Sequence, residues 1–358
     1  MKVLMKGNEA IAEAAVTAGC LHYFGYPITP QNEVAAYMSK RLVKAGGTFI
    51  QAESEIGAIS MVMGCSAAGR RCMTSSSSPG ISLKAEGLSY LAGCDLPAMV
   101  ASIQRGGPGL GSIQPSQADY HQATRGGGHG DFHMIVLAPN GVQEMFDLTR
   151  EGFYLADKYR MTVMLLSDGV LGQMMEPVTI DEKASEPTLP PKTWALTGTG
   201  RRKGGDASRN IINSLYLQPE ELEKRNVDRY KKYAEIERSE AKYEEFMTEG
   251  AEIIVVAYGA AARVVKNAVL AARADGVKAG LFRPVSVWPF PKQRLLELSH
   301  TVSAFVTAEM SMGQMIDDVN LAVRCSKPNV LCSRTGGVVH TQDDILEKIR
   351  EAMKAGRN

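Results

Sequence analysis

RCMTSSSSPGISLKAEGLSYLAGCDLPAMVASIQR, Arg71–Arg105, decides the fold. RCMTSSSS reads as a strand that runs into Pro79-Gly80. The helix ISLKAEGLSYLAG follows, and LPAMVASIQR is a second, apolar strand. Apolar strands alternating with helices argue for a parallel, doubly wound sheet, because each crossover helix covers a face of it. The same alternation extends on both sides. Upstream, Asn8 is an expected N-cap, Ile11, Ala14, Ala15 and Ala18 follow at helical spacing, and Gly19 ends that helix. HYFGYPI and GTFIQAES read as strands and NEVAAYMSKRL as a helix. EIGAISMVMGCSAAG is a helix of small residues suited to close packing. Downstream, MIVLAP is a strand, then a helix capped by Asn140 with Gln143 three residues on, then the strand TVMLLSD.

Beyond this half the character changes. EKASEPTLPPKTW is proline-rich, TGRRKGGDASRN is polar, and PEELEKRNVDRYKKYAEIERSEAKYEEF is a charged connector helix. A second α/β pattern opens at EIIVVAYG and ends in a helix capped by Thr341 and Asp344. The expected domains are residues 1–185, a linker with the charged helix over 186–250, and 251–358. The chain's 358 residues agree with two domains.

Bulk properties exclude several classes. A net charge of +1 gives no polyanion surface, so no nucleic-acid partner is expected. No run approaches the ~18 apolar residues of a membrane span. Six cysteines lack CxxC and zinc or iron–sulfur spacing. Scattered reduced thiols fit a cytoplasmic location. GxGxxG, GxSxG and HExxH are absent from their expected places.

Four stretches can carry chemistry. In GYPITP, two prolines bracket Ile28 and Thr29 at a strand end and hold a single hydroxyl, Thr29, at the corner. In QAESEIGA, Glu53 and Glu55 sit where a strand meets a helix N-terminus. There a carboxylate either serves the helix dipole and its free amides or points into the ligand crevice. TSSSSPG offers hydroxyls and free amides for an anion or a plain structural turn. Arg105 opens RGGPGLGSIQPSQADYHQATRGGGHG, 26 residues with eight glycines, at a strand's C-terminal end, where open α/β sheets bind ligands. Its guanidinium can hold a carboxylate or form a surface salt bridge. His121, His129 and His133 lie in or near that loop without metal spacing. No second acid–base partner is evident, so the chain reads as half of a site.

GNEAIAEAA, GYPITP, QAESEIGAI, TSSSSPGISL, QRGGPGLG, LSDGVLGQMMEP, LFRPVSVWPFP and TAEMSMGQMIDDV together resemble the alpha subunit of the 2-oxoacid:ferredoxin oxidoreductases, from residue 1 to about 350. The likeness is greatest to the branched-chain type, which acts on 3-methyl-2-oxobutanoate. The resemblance implies an α/β fold: a pyrimidine-type thiamine-diphosphate-binding domain plus a smaller transketolase-C-terminal-like domain. It implies a cytoplasmic hetero-oligomer that converts a 2-oxo acid and coenzyme A to acyl-CoA and CO2, reducing ferredoxin. Thiamine diphosphate would be shared with a beta subunit carrying the diphosphate-binding domain and Mg2+. Gamma and ferredoxin-like delta subunits would complete the assembly, with iron–sulfur clusters on the partners. LSDGVLG lacks the first glycine and the downstream asparagine of the diphosphate motif, which fits an alpha subunit.

Carried over by position, Glu55 resembles the glutamate that hydrogen-bonds the pyrimidine ring and promotes its imino tautomer. Pro27, Ile28 and Ser77 would touch the cofactor. Thr29 resembles the threonine at the substrate's carboxylate or carbonyl, and Arg105 the arginine paired with that carboxylate. Many members carry two serines after YPITP. This chain has Gln31 and Asn32, which are expected to bear on the acid accepted. Two other readings compete: a 2-oxoglutarate enzyme, which should need an extra cation, and a non-catalytic scaffold subunit. Intact Glu55, Thr29 and Arg105 speak against the scaffold.

Overall fold

A computed structural model describes residues 2–181, 188–189, 191–198 and 209–357. The EKASEPTLPPKTW and TGRRKGGDASRN stretches, and the boundary expected at 185/186, fall wholly or mostly outside those residues.

The first half runs β1 (Lys2–Lys6), α1 (Gly7–Thr17), β2 (His22–Gly25), α2 (Asn32–Lys44), β3 (Thr48–Gln51), α3 (Glu55–Ala67), β4 (Cys72–Ser76), α4 (Ser78–Gly93) and β5 (Ala98–Gln104). It continues through α5 (Tyr120–Thr124), β6 (Ile135–Leu137), α6 (Val142–Tyr159), β7 (Thr162–Asp168), α7 (Gly169–Gln173) and β8 (Met175–Thr179). Next come α8 (Pro219–Ser239), β9 (Tyr243–Phe246), β10 (Ile253–Ala257), α9 (Gly259–Ala274), β11 (Ala279–Pro284) and β12 (Ser286–Trp288). The chain ends through α10 (Lys292–Ser299), β13 (Ala304–Glu309), α11 (Met315–Ala322), β14 (Asn329–Ser333) and α12 (Gln342–Ala355).

The principal sheet has seven strands in the order β12-β6-β7-β5-β4-β2-β3, parallel except for β12. β5 and β7 lie at its centre, and every residue of both is buried. A second sheet, β14-β13-β10-β11-β9, is parallel except for β9. Strands β9 and β12 cross the expected division: β9 arises within the presumed linker, and β12 leaves the second sheet to pair with β6. Trp288 of β12 stacks on His133 at 4.7 Å, and Tyr233 of α8 packs edge-on to both rings. The charged helix α8 therefore buries Arg229, Tyr233 and Ile236 against the body, with Lys232 half-buried beside them, and most of its other positions face outward.

Two caps differ from expectation. The first helix begins at Gly7, so Asn8 lies inside it. Asn8 is buried and donates to the Pro30 carbonyl at 2.8 Å and to Glu33 at 2.9 Å. Tertiary partners outbid the local capping propensity there. Likewise, α6 has Gly141 at its N-cap, and Glu144, not Gln143, reaches back to the Asn140 amide at 2.9 Å. The Thr341–Asp344 capping box is present.

The small-residue helix α3 meets α4 closely. A Cβ at Gly87 would come within 2.5 Å of Ile59 Cγ2, so glycine permits this approach. In the glycine-rich loop, α5 and its neighbours bind the two halves together. Gln117 bonds Met310 and Tyr258, and Tyr120 bonds Asp318 at 2.6 Å. Arg125 makes a bidentate pair with Asp318 at 2.9 and 3.2 Å. Glu309, fully buried at the end of β13, accepts from the amides of Gln314, Met315 and Ile316, and so closes the N-terminus of α11.

Candidate active site

Adjacent strands β2 and β4 send their outgoing connections in opposite directions, β2 to β3 at the edge and β4 to β5 toward the centre. Such a reversal leaves a crevice at the strands' C-terminal ends, the usual ligand position in open α/β sheets. The GYPITP turn follows β2, the serine run ends β4, and Arg105 follows β5. The topology thus brings to one edge residues that are far apart in sequence.

Of the two candidate carboxylates, Glu53 is exposed and Glu55 is buried, at 5% exposure. Ser54 caps α3 by accepting from Gly57 at 3.0 Å, which releases Glu55 from any capping duty. Among the described residues no hydrogen-bond donor reaches the Glu55 carboxylate. A Cβ at Gly80 would fall 2.7 Å from Glu55 Oε1 and would collide with Ser76 Oγ. Glu55, Ser76 and the glycine at the start of α4 therefore surround one small space. The hydroxyls of Thr74, Ser76 and Ser77 are buried without hydrogen-bond partners among the described residues. Buried polar groups are almost always paired, so these hydroxyls mark the end of β4 as a candidate binding position. Ser75, on the other face of β4, is satisfied: it shares a 2.6 Å hydrogen bond with Tyr23 and donates to Gln31 at 2.5 Å.

Lys84 is a component the sequence reading missed. It is fully buried in α4, two turns after Ser77. The only hydrogen bond from its ammonium among the described residues goes to the Glu55 backbone carbonyl, at 3.3 Å. Burial lowers its pKa to about 8, and the charge of Glu55 works the other way. A signal was available: Gly80, Ile81, Gly87, Leu88 and Leu91 form the buried stripe of α4, and Lys84 interrupts it.

Thr29 and Arg105 meet directly. Arg105 Nη1 donates to the Thr29 carbonyl at 2.9 Å and Nη2 to the Leu110 carbonyl at 3.2 Å, and its Nε is buried without a partner among the described residues. The Arg105 amide donates to Ser78 Oγ at 3.0 Å, and Ser78 in turn donates to Asp119. Burial pushes the Asp119 carboxyl above its ordinary range. The Thr29 hydroxyl accepts from Asn32 Nδ2 at 3.2 Å, leaving its own proton to donate. The Thr29–Pro30 peptide bond is cis. Pro27 is exposed and Ile28 half-buried on the same turn.

Gln31 and Asn32 separate. Gln31 is fully buried, held between Ser75 and the Tyr26 carbonyl at 3.3 Å. Only Asn32 touches the Thr29 hydroxyl. The histidines lie elsewhere: His121 against Gln314, His129 with its carbonyl on Ser89, and His133 under Trp288. Asp168 of LSDGVLG is the N-cap of α7, accepting from Val170 and Leu171 at 2.8 and 3.2 Å, and it reaches the Ala260 amide. Burial pushes its pKa up to about 6. Among the described residues no group of three or more His, Cys, Asp or Glu is placed to hold a metal ion.

A buried carboxylate without a donor and unpaired hydroxyls suit a polar heteroaromatic ring, and among the described residues no metal-ligand cluster adjoins them.

Comparison with known proteins gives the same picture along the chain. A family model described as pyruvate flavodoxin/ferredoxin oxidoreductase, thiamine diphosphate-binding, matches residues 13–254. One for pyruvate:ferredoxin oxidoreductase core domain II matches residues 251–345. The ketoisovalerate oxidoreductase subunit VorB of Methanothermobacter marburgensis is 50% identical over 97% of this chain and 97% of that protein. The 2-oxoglutarate synthase subunit KorA of the same organism is 36% identical over 96% and 97%. Among solved structures, a 2-oxoglutarate:ferredoxin oxidoreductase from Magnetococcus marinus, with 2-oxoglutarate, coenzyme A and succinyl-CoA bound, superposes with a TM-score of 0.87 at 27% identity. That match covers 98% of this chain and 65% of the other.

Proposed function

Because the chain belongs to the pyruvate flavodoxin/ferredoxin oxidoreductase family, we propose that it is the alpha subunit of an enzyme that oxidatively decarboxylates 3-methyl-2-oxobutanoate with coenzyme A and passes the electrons to ferredoxin. The observation that carries this is the buried Glu55 carboxylate, free of donors among the described residues, beside the unpaired hydroxyl of Ser76. The 50% identity to a ketoisovalerate oxidoreductase subunit, against 36% to a 2-oxoglutarate one, supports the branched-chain substrate. A dicarboxylate would also need a second cation. Near the corner, Lys6 is already held by Glu33 at 3.1 Å and Gln173 at 2.9 Å.

Glu55 would hold the pyrimidine ring of thiamine diphosphate, with Pro27, Ile28 and Ser77 against the cofactor. When bound, the cofactor supplies the carbanion chemistry. The chain's own part is protonic and positional. Glu55 accepts or returns a proton at the ring nitrogen through its Oε atoms, and Lys84 pins the Glu55 backbone carbonyl at 3.3 Å. The Thr29 hydroxyl and the free Nε of Arg105 address the 2-oxo acid's carboxylate. A beta subunit would supply the diphosphate half with Mg2+. Gamma and delta subunits with iron–sulfur clusters would take the electrons in the cytoplasm.

Two experiments test this. The chain purified alone should show no turnover, and the native complex should reduce a viologen acceptor fastest with 3-methyl-2-oxobutanoate in a panel of 2-oxo acids. Turnover by the single chain, or a preference for 2-oxoglutarate, overturns the respective part. In the complex, Arg105→Ala should raise KM for the 2-oxo acid about 10- to 100-fold, the range for losing a hydrogen bond to a charged group. Thiamine diphosphate affinity should change much less. Equal loss of both would make Arg105 a scaffold for the Thr29 and Leu110 turns.

A further inference from the structure

The opposite edge of the principal sheet carries a second polar site. There α4 and α6 end before β5 and β7, and α8 closes a cavity of about 290 Å³. Four cations line it, Arg160, Arg225, Arg229 and Lys232, with two carboxylates, Asp95 and Asp228. Asp228 is already paired with Lys231, at 2.8 Å. Asp95 is left to serve the four. Lys232 binds it at 3.1 Å, and Arg229 Nε stands 3.9 Å away, beyond hydrogen-bond range. Lys232 also donates to the Tyr159 and Arg160 carbonyls at the end of α6, which gives it a structural role.

The arginines are less fully engaged: Arg229 Nη1 donates to Asn226 Oδ1 at 2.7 Å. The Nε atoms of Arg160 and Arg229 are buried without partners among the described residues. The Arg160 guanidinium rests on the Trp194 ring at 4.6 Å, and that of Arg225 on Tyr216 at 4.7 Å. The carboxylate facing Arg225, Glu221, is 4.0 Å away. Buried charges are normally paired, and desolvation here lowers Arg160 and Lys232 below their ordinary ranges. Two guanidiniums stacked on aromatic rings, Arg160 and Arg225, line one cavity with Arg229, and arginine is the side chain best suited to grip phosphate.

We propose that this cavity binds a phosphate-bearing anion, with Arg160, Arg225 and Arg229 as its ligands. An adjoining cavity of about 450 Å³ shares Asp95, Arg160 and Arg225 with it and adds Trp194, Asn210 and Asn213. It leaves room for an organic group attached to the phosphate. The site lies at the far end of the sheet from Glu55 and stands independently of the thiamine reading.

Calorimetric titration of the full chain and of its native complex with inorganic phosphate, pyrophosphate and ADP tests it. Arg225→Gln removes a half-exposed charge. Arg160→Asn removes another while keeping a residue that tolerates the local φ of 48°. Each should weaken binding at least about tenfold, the loss of one charge-assisted contact. Lys44→Gln, on α2, should leave binding unchanged. ADP tighter than phosphate marks a phosphate ester that uses the adjoining cavity. Equal affinities mark a free phosphate, and both support the site. Failure of all three probes at millimolar concentration, or equal binding by both variants and the parent, overturns it. Binding to the isolated chain that vanishes in the complex overturns it in favour of an acidic segment of a partner.

Discussion

Glu55→Gln in the assembled enzyme should slow exchange of the cofactor's thiazolium C2 proton about 10²–10⁴-fold, the usual contribution of a positioned acid–base group. The substitution is isosteric, and Glu55 neither caps α3 nor accepts a hydrogen bond from any described residue, so the fold loses only the charge that acts on Lys84. What disappears is a group that can exchange a proton with a ring nitrogen, since an amide cannot. Thiamine diphosphate should still bind, because the amide retains a hydrogen bond to the ring. Proton exchange followed by NMR after acid quench reads the effect directly, apart from ferredoxin reduction. Near-normal exchange with the cofactor bound would remove Glu55 from the proposed role.

The second large effect concerns Lys84 and has opposite signs on stability and activity. Burial lowers its pKa to about 8 from an ordinary 10.5, a difference worth about 3 kcal/mol. The sign follows from proton linkage. Between pH 8 and 10.5 the unfolded chain still binds the proton that the folded chain has released, so stability rises with pH across that window. Below pH 8 the buried charge is a standing cost. Lys84→Met should therefore stabilise the protein by up to about 3 kcal/mol at neutral pH, since a methionine of similar volume needs no solvation. The advantage should shrink toward zero as the pH approaches 10.5. The same variant should slow C2 proton exchange about tenfold, because the ammonium that holds the Glu55 backbone carbonyl in place is gone. Denaturant unfolding at several pH values checks the first effect and the exchange assay the second. Greater stability with unchanged exchange would show that Lys84 has no bearing on Glu55. Lower stability would contradict the buried-charge argument itself.

Much of this architecture was legible because its signals are local. Apolar runs of β-branched residues such as EIIVVA, broken by helical spacing, define strands and helices without any partner. The Thr341–Asp344 box formed as read, because both capping groups lie within one helical turn. Asn8 and Asn140 did not behave as caps, because their surroundings come from distant segments: Pro30 and Glu33 hold the first. Strand β12 was hidden for a similar reason. Three residues followed by a proline carry little pattern, and they form a strand only because β6 offers a free edge.

The candidate site divides along the same line. Residue chemistry nominated Glu53 or Glu55, Thr29 and Arg105 as groups at strand ends, and the family resemblance singled out Glu55. Residue pattern without the resemblance could not rank Glu53 against Glu55, because that depends on which side of the α3 N-terminus faces the crevice. It could not separate Gln31 from Asn32 either, although one is locked under the sheet and the other touches Thr29. Nor could it weigh Lys84, whose cost and use both come from the packing of α4 on α3. The sequence by itself determined the order of strands and helices and the chemical groups at their ends. The tertiary structure decided which of those groups lose water and which share a crevice, because burial and proximity arise only when the β2–β4 reversal sets separate loops side by side.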